Sequence, residues 1–173
     1  MKKFILLIII FFFILSVQAE TLVAGVAVEE VPKPLFGTWR VLGSMESSNS
    51  YESFRGKCMD FWELSRKDGV ITLYNPQSFA KDEVSVDLVE GNLVIFTRTI
   101  HFDDNKVLTD KVHIRLNGNK FEGLNDLKLE QFSLIDGHLM STKTARYLIS
   151  GEKISGESVI YEDIEEAPVE DID

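Results

Sequence analysis

Two opposite charges fall on the apolar face of a predicted β-hairpin, where their pairing could serve either structure or ligand binding. The segment "RTIHFDDNKVLTDKV", residues 98–112, alternates apolar and polar residues on both sides of Asp103-Asp104-Asn105, which is typical of two β-strands joined by a turn. A three-residue loop at this turn sets a register in which Arg98 faces Asp110. Both charged side chains are therefore predicted to point into the protein.

The Arg98–Asp110 pair has two interpretations. A buried charge without a partner is costly, so we expect Arg98 to need Asp110. The pair could be a structural ion bridge that fixes the register of the two strands. It could instead be a polar anchor in an apolar cavity, because a guanidinium binds a carboxylate or another polar head with two hydrogen bonds. Asp110 weakens this second interpretation, since it already neutralises the arginine.

The other reactive side chains form no recognisable catalytic or metal-binding pattern. His101, His113 and His138 are scattered along the chain, without the spacing of a metal site. Neither a Gly-x-Ser-x-Gly elbow nor a Gly-rich phosphate loop occurs. Asp110 is the only carboxylate predicted on an apolar face, whereas a two-carboxylate hydrolase needs a second one. We therefore predict a protein that is not an enzyme and has no cofactor or metal.

The first residues are typical of a secretory signal peptide. Met1-Lys2-Lys3 is basic, residues 4–15 form an apolar run, and Val17-Gln18-Ala19 fits cleavage after Ala19. The run is shorter than the roughly 20 residues that cross a bilayer as a helix, although an uncleaved N-terminal anchor is the alternative. We expect an exported protein, periplasmic or secreted.

Composition and charge limit the classes of partner that we expect and indicate how the chain is divided into segments. The formal net charge is −10, which disfavours binding to nucleic acid or to an anionic membrane surface. Cys58 is the single cysteine, so no intramolecular disulfide can form, and we expect it to be a small buried apolar residue. The predicted organisation is a signal peptide at 1–19, a linker at 20–34, one domain at 35–161, and an acidic disordered tail at 162–173.

The central domain has the pattern of an all-β antiparallel meander. Apolar residues alternate with a period near two, and turn dipeptides separate the segments. Residues 49–57 break this rhythm and predict a short helix or a lid loop after the first strand. Closure into an up-and-down barrel of about 8–10 strands removes the sheet edges, with a two-sheet sandwich as the alternative. The predicted strands are 36–44, 58–66, 70–75, 83–89, 93–102, 106–116, 119–124, 127–135, 138–149 and 153–161.

The remaining turns predict how neighbouring strands pair. A loop at 90–92 pairs Val86 with Phe96 and Leu88 with Val94, and a turn at 117–118 pairs Ile114 with Phe121. A turn at 136–137 pairs Glu130 with Lys143. The opposite face of this last hairpin mixes polar and apolar residues without any acidic one, and it could line a wet cavity or form an outer surface. That face comprises Leu127, Leu129, Gln131, Ser133, Met140, Thr142, Thr144 and Arg146.

The segment "PLFGTWRVL", residues 34–42, resembles the opening strand of lipocalins and bacterial lipocalin-like proteins. Gly37-Thr38-Trp39 matches the Gly-x-Trp motif of that family, and the resemblance extends over residues 35–161 through the meander pattern. It implies that Trp39 closes one end of an up-and-down barrel while a late arginine packs over its ring. Arg146 is the matching candidate, and such a cation–π contact is physically reasonable.

The resemblance implies an exported barrel that holds a small hydrophobic or amphipathic ligand in its interior. The alternative is a filled barrel that acts as an envelope or secreted protein-interaction or inhibitor module without a ligand. The sequence leaves room for a partner protein in either case and does not identify one. The candidate ligand-binding residues are Trp62, Tyr74, Phe96, Arg98, Asp110, Ile114, Phe121, Phe132 and Met140.

Overall fold

Eight antiparallel strands make up most of residues 30–156, the part of the chain that the computed structural model describes. Each strand pairs with the next along the chain, and the last pairs with the first, so that hydrogen bonds close the sheet into a barrel. This confirms the predicted all-β up-and-down meander. The predicted signal peptide and acidic tail lie outside the described residues. The strands are β1 Gly37–Ser48, β2 Lys57–Lys67, β3 Val70–Tyr74, β4 Lys81–Glu90, β5 Leu93–Phe102, β6 Lys106–Asn117, β7 Lys120–Phe132 and β8 Leu139–Ser155.

Two of the predicted strand breaks are absent. The segments 119–124 and 127–135 form the single strand β7, and β8 runs through Ser150-Gly151, which had been predicted as a turn. Gly151 is small for a packing reason, because a Cβ there would lie 2.1 Å from Cε1 of Phe121. The predicted helix or lid after β1 is an irregular loop, residues 49–56, that contains no helix.

The register of the β5–β6 hairpin is as predicted. Arg98 is the partner of Asp110, and Phe102 is the partner of Lys106. Asn105 has φ +57°, the left-handed conformation that a three-residue hairpin loop needs and that asparagine tolerates. The predicted pairing of Val86 with Phe96 in β4–β5 is also confirmed.

Other predicted registers are wrong. A bulge after Val86 pairs Leu88 with Ile95 instead of Val94. The β6–β7 turn is formed by Gly118-Asn119, so Ile114 pairs with Gly123. This shift of two residues leaves Phe121 inside the barrel, because side chains alternate with a period of two. In β7–β8, Glu130 pairs with Thr142 and Lys143 pairs with Leu129.

One end of the barrel is filled by aromatic side chains. We call it the closed end; it contains the turns β2–β3, β4–β5 and β6–β7. The ring of Phe121 lies 5.1 Å from that of Trp39 and 5.9 Å from that of Trp62, and Trp62 meets Phe96 edge-on at 6.2 Å. Aromatic contacts of this kind add to the free energy gained from burial.

A short 3-10 turn at Lys33–Leu35 covers the closed end. Leu35 is fully buried, and its carbonyl accepts a 2.8 Å hydrogen bond from Nε1 of Trp39. Val31 is also buried in the core. The end of the predicted linker 20–34 is therefore part of the packed barrel. The opposite end carries the loops β1–β2, β3–β4, β5–β6 and β7–β8, and we call it the loop end.

Candidate binding site inside the barrel

Arg98 and Asp110 form a buried ion pair in the middle of the barrel. Nη2 of Arg98 donates to Oδ2 of Asp110 at 2.7 Å, and the two side chains are 12% and 6% exposed. The other oxygen of Asp110 accepts a 2.7 Å hydrogen bond from Nδ2 of Asn125. Both carboxylate oxygens thus have a donor, which is what burial of a charge requires. Asn125 lies between the predicted strands 119–124 and 127–135, so its inward position could not be predicted from the sequence.

A second carboxylate faces the same arginine. Oδ2 of Asp82 lies 3.6 Å from Nη1 of Arg98, too far for a hydrogen bond. Oδ2 of Asp82 and Nε of Arg98 are both buried and have no hydrogen-bond partner among the described residues. We call Asp82, Arg98, Asp110 and Asn125 the polar floor. Asp82 was missed because the predicted strand began at residue 83, although it shares the inward parity of Val84 and Val86.

Asp60 fixes the orientation of Trp62. Its Oδ2 accepts a 3.1 Å hydrogen bond from Nε1 of Trp62, and its Oδ1 accepts bonds from the Phe61 backbone N–H and from the side-chain amide of Asn75. Asp60 therefore ties β2 to the loop that follows β3. An indole N–H usually finds such a partner when it is buried.

The inward-facing residues become more exposed toward the loop end. On β5, Phe96 is fully buried, Ile100 is half-buried, and Phe102 is 45% exposed. On β6, Val112 is fully buried whereas Leu108 is half-buried. The inward face is therefore more accessible to solvent above the polar floor than at the closed end. This upper wall is apolar and consists of Met45, Ile100, Leu108, Leu127 and Leu129.

The β1–β2 loop is held against the barrel wall. Asn49 pairs with Thr144 through two hydrogen bonds, from its backbone N–H at 3.1 Å and to its Oδ1 at 2.7 Å. The hydroxyl of Tyr147 donates to the Arg55 carbonyl at 2.7 Å. Desolvation by burial raises the pKa of Tyr147, and the charge of Cys58 adds to this effect.

Cys58 is exposed, and the expectation that it would be buried was wrong. It lies near the loop end, where the inward face is open to solvent. Partial desolvation raises the pKa of its thiol, and the negative charge of Asp60 raises it further. The thiol is therefore less easily ionised than a free cysteine.

The predicted ligand-binding residues lie in four different places. Trp62, Phe96, Ile114 and Phe121 lie inside but belong to the packed core, whereas Arg98 and Asp110 belong to the polar floor. Phe132 is half-buried at the end of β7. The structure does not place the other two in the interior: Tyr74 alternates with the buried Leu73 and faces outward, and Met140 is 63% exposed at the loop end.

Arg146 does not cover Trp39. It alternates with the buried Ala145 and Tyr147 and therefore points outward. Its Nε and Nη2 donate to the two carboxylate oxygens of Asp126 at 2.6 and 3.2 Å. This pairing raises the pKa of Arg146. The cation over the Trp39 ring is Lys153 instead, with Nζ 5.1 Å from the ring centroid.

Residues 30–156 contain no cluster of three or more His, Cys, Asp or Glu side chains placed to bind a metal ion. Within the same range, no helix has the length and apolar character to cross a membrane. A comparison with protein-family models found no match, and a search of curated proteins found none either.

Proposed function

We propose that this protein is an exported, lipocalin-like barrel that binds a small amphipathic molecule through its loop end. The apolar part of the ligand lies against the upper wall, and its polar end lies toward the polar floor. The observation that carries the proposal is the change along the inward face of β5, from the buried Phe96 to the solvent-exposed Phe102. A largely apolar pocket with a few placed polar groups is typical of small-molecule sites.

The polar floor supports an amphipathic ligand over a purely apolar one. Nε of Arg98 and Oδ2 of Asp82 are buried without hydrogen-bond partners, and unpaired buried polar atoms are costly. A polar group bound nearby would offset this cost, either directly or after a small rotation of the two side chains. The ion pair of Arg98 with Asp110 remains intact in this arrangement.

A filled barrel acting as a protein-interaction module is the second candidate. The aromatic packing of Trp39, Trp62, Phe96 and Phe121 favours it, since it fills the closed half of the interior. In that case the half-buried residues of the upper wall would complete a solid core, and no ligand would enter.

Native mass spectrometry of the protein purified from its own host tests the proposal directly. We expect a copurifying small molecule that is released on denaturation. A titration with N-phenyl-1-naphthylamine, a neutral apolar fluorophore, provides a second measurement. Leu108→Glu places a charge on the upper wall and should weaken binding of the fluorophore by about ten-fold or more. Leu148→Glu on the outer wall should leave this binding unchanged.

Two results would contradict binding in the interior. The first is the absence of any copurifying molecule together with no saturable probe fluorescence, which favours the filled barrel. The second is an equal loss of probe binding in both variants, which places the probe on the outer surface. Thermal unfolding of each variant verifies that it is folded before the titration.

A further inference from the structure

Large apolar side chains are exposed around the loop end of the barrel. Ile135 and Leu134 are 97% and 79% exposed in the β7–β8 loop, and Phe79 is 78% exposed in the β3–β4 loop. By contrast, the three turns at the closed end are Asp68-Gly69, Gly91-Asn92 and Gly118-Asn119. We call the exposed set the loop rim: Tyr51, Phe79, Leu134, Ile135, Leu139 and Met140.

The loops hold these side chains outward. In the β7–β8 loop, Ser133 N–H donates to the His138 carbonyl at 2.9 Å, and Ile135 N–H donates to Oγ of Ser133 at 3.2 Å. Phe79 has φ +60°, a conformation that is uncommon and unfavourable for a bulky residue. Its backbone N–H donates to the Asn75 carbonyl at 2.8 Å. The loop thus keeps a strained backbone while leaving the phenyl ring in solvent.

The charges around the loop rim are balanced, unlike those of the whole chain. The segments 49–57, 75–81, 103–106 and 133–139 contain four basic and four acidic residues, a formal charge of zero, whereas the chain carries −10. Lys57, Lys81 and Lys106 are each the first residue of the strand that follows a loop. The basic residues are Arg55, Lys57, Lys81 and Lys106, and the acidic residues are Glu52, Asp103, Asp104 and Asp136.

We propose that the loop rim docks on a lipid layer with zwitterionic headgroups. The apolar side chains of the loop rim lie on three separate loops at one end of the barrel, so all of them can enter a fluid surface at the same time. Exposed apolar patches of this kind often mark membrane or protein contacts, and aromatic side chains favour the boundary between headgroups and acyl chains.

The charge pattern favours a zwitterionic layer over an anionic one. Lys57 and Lys81 follow the loops that carry Tyr51 and Phe79, and their long side chains can extend to lipid phosphates. Lys106 and Asp104 pair with each other, so the β5–β6 loop adds no net charge from these two residues. The net charge of −10 repels an anionic surface. The proposal rests on the exposed rim and does not require an interior ligand, although an amphipathic ligand could then pass between the layer and the open interior without crossing water.

Flotation of the exported protein, purified from its own host without the predicted signal peptide 1–19, with phosphatidylcholine vesicles tests the docking. We expect the protein to float with these vesicles, and to float less when phosphatidylglycerol is added at low salt. The double variant Leu134→Asp/Ile135→Asp should reduce the bound fraction by about ten-fold, because two apolar side chains no longer enter the layer. The control is Leu42→Asp/Leu148→Asp, whose leucines are 49% and 54% exposed on the outer wall; it should float like the unmodified protein.

Several outcomes would overturn the proposal. They are no flotation with phosphatidylcholine, a preference for the anionic vesicles, or equal losses in the rim and control variants. Sedimentation velocity without lipid tests whether a second copy of the protein covers the loop rim. A concentration-dependent dimer that the rim variant abolishes would show that the rim serves self-association. If the double variant fails to fold, Phe79→Ser provides the same comparison in another loop.

Discussion

Nζ of Lys153 lies 5.1 Å from the centre of the Trp39 ring, and the two residues are register partners across the β1–β8 pair that closes the barrel. The same ammonium donates a 2.7 Å hydrogen bond to the Pro34 carbonyl. One side chain thus joins the last strand to the tryptophan of the first strand and to the turn that covers the closed end.

Replacing Lys153 tests this arrangement. Lys153→Met keeps most of the apolar stem but removes the charge, and we expect it to lower the free energy of unfolding by about 1 kcal/mol. Arg146→Met should cost less, because its exposed pair with Asp126 is worth about 0–1 kcal/mol. Urea unfolding followed by tryptophan fluorescence measures both. A larger effect of Arg146→Met would restore the predicted role of that arginine.

The buried ion pair should be sensitive to the loss of one partner. Arg98→Ala leaves Asp110 and Asp82 without their cation, and we expect a loss of about 3–5 kcal/mol, the range for breaking a buried pair. The double variant Arg98→Met/Asp110→Leu should cost less than the sum of the single changes, because no unpaired charge from that pair remains. A loss below about 1 kcal/mol for Arg98→Ala would place the arginine in solvent.

Gly151 should not tolerate a side chain. A Cβ at this position would lie within 2.6 Å of three atoms of the Phe121 ring, which is packed between Trp39 and Trp62. Gly151→Ala should therefore destabilise the fold by about 1–3 kcal/mol, as overpacking does. Gly56→Ala is the control, since no atom lies within 4 Å of its Cβ position. Similar melting temperatures for the two variants would contradict the tight packing.

Cys58 should react slowly with alkylating reagents. Burial, and then the charge of Asp60, raises the pKa of the thiol, so a smaller fraction is thiolate at pH 8 than in a free cysteine. The rate of iodoacetamide labelling should rise at a higher pH than it does for free cysteine. Asp60→Asn removes the nearby negative charge and should move this rise to lower pH. Intact mass measured over time gives both rates, and an unshifted profile in Asp60→Asn would exclude that charge as a cause.

The sequence predicted the β5–β6 hairpin best because two independent signals agreed there. Strict alternation on both strands and the turn residues 103–105 gave the pairing of Arg98 with Asp110. The strand breaks predicted within β7 and β8 were wrong because polar or small residues inside a strand resemble the residues that form turns. Asn125 is polar because it bonds to Asp110, and Gly151 is small because Phe121 fills the space beside it. Both reasons lie in other strands, so the local sequence does not contain them.

The sequence also did not determine which face of the β7–β8 hairpin points into the barrel. Thr142, Thr144 and Arg146 formed a mixed face that suited either side of the barrel. In the structure, a bulge near Phe132 shifts the register and Arg146 faces outward, where it pairs with Asp126. Asp82 was missed for the opposite reason, because a charge at the start of a strand looks like a loop residue until Arg98 is seen facing it.

The first and last strands leave the barrel side by side at the closed end. Thr38 is the register partner of Ser155, and a Cβ added to Gly37 would lie 3.0 Å from Cα of Gly156. Whatever precedes β1 or follows β8 must therefore attach at this pole. A tether at either terminus would orient the molecule with its mouth pointing away from the attachment point, free to meet a second surface.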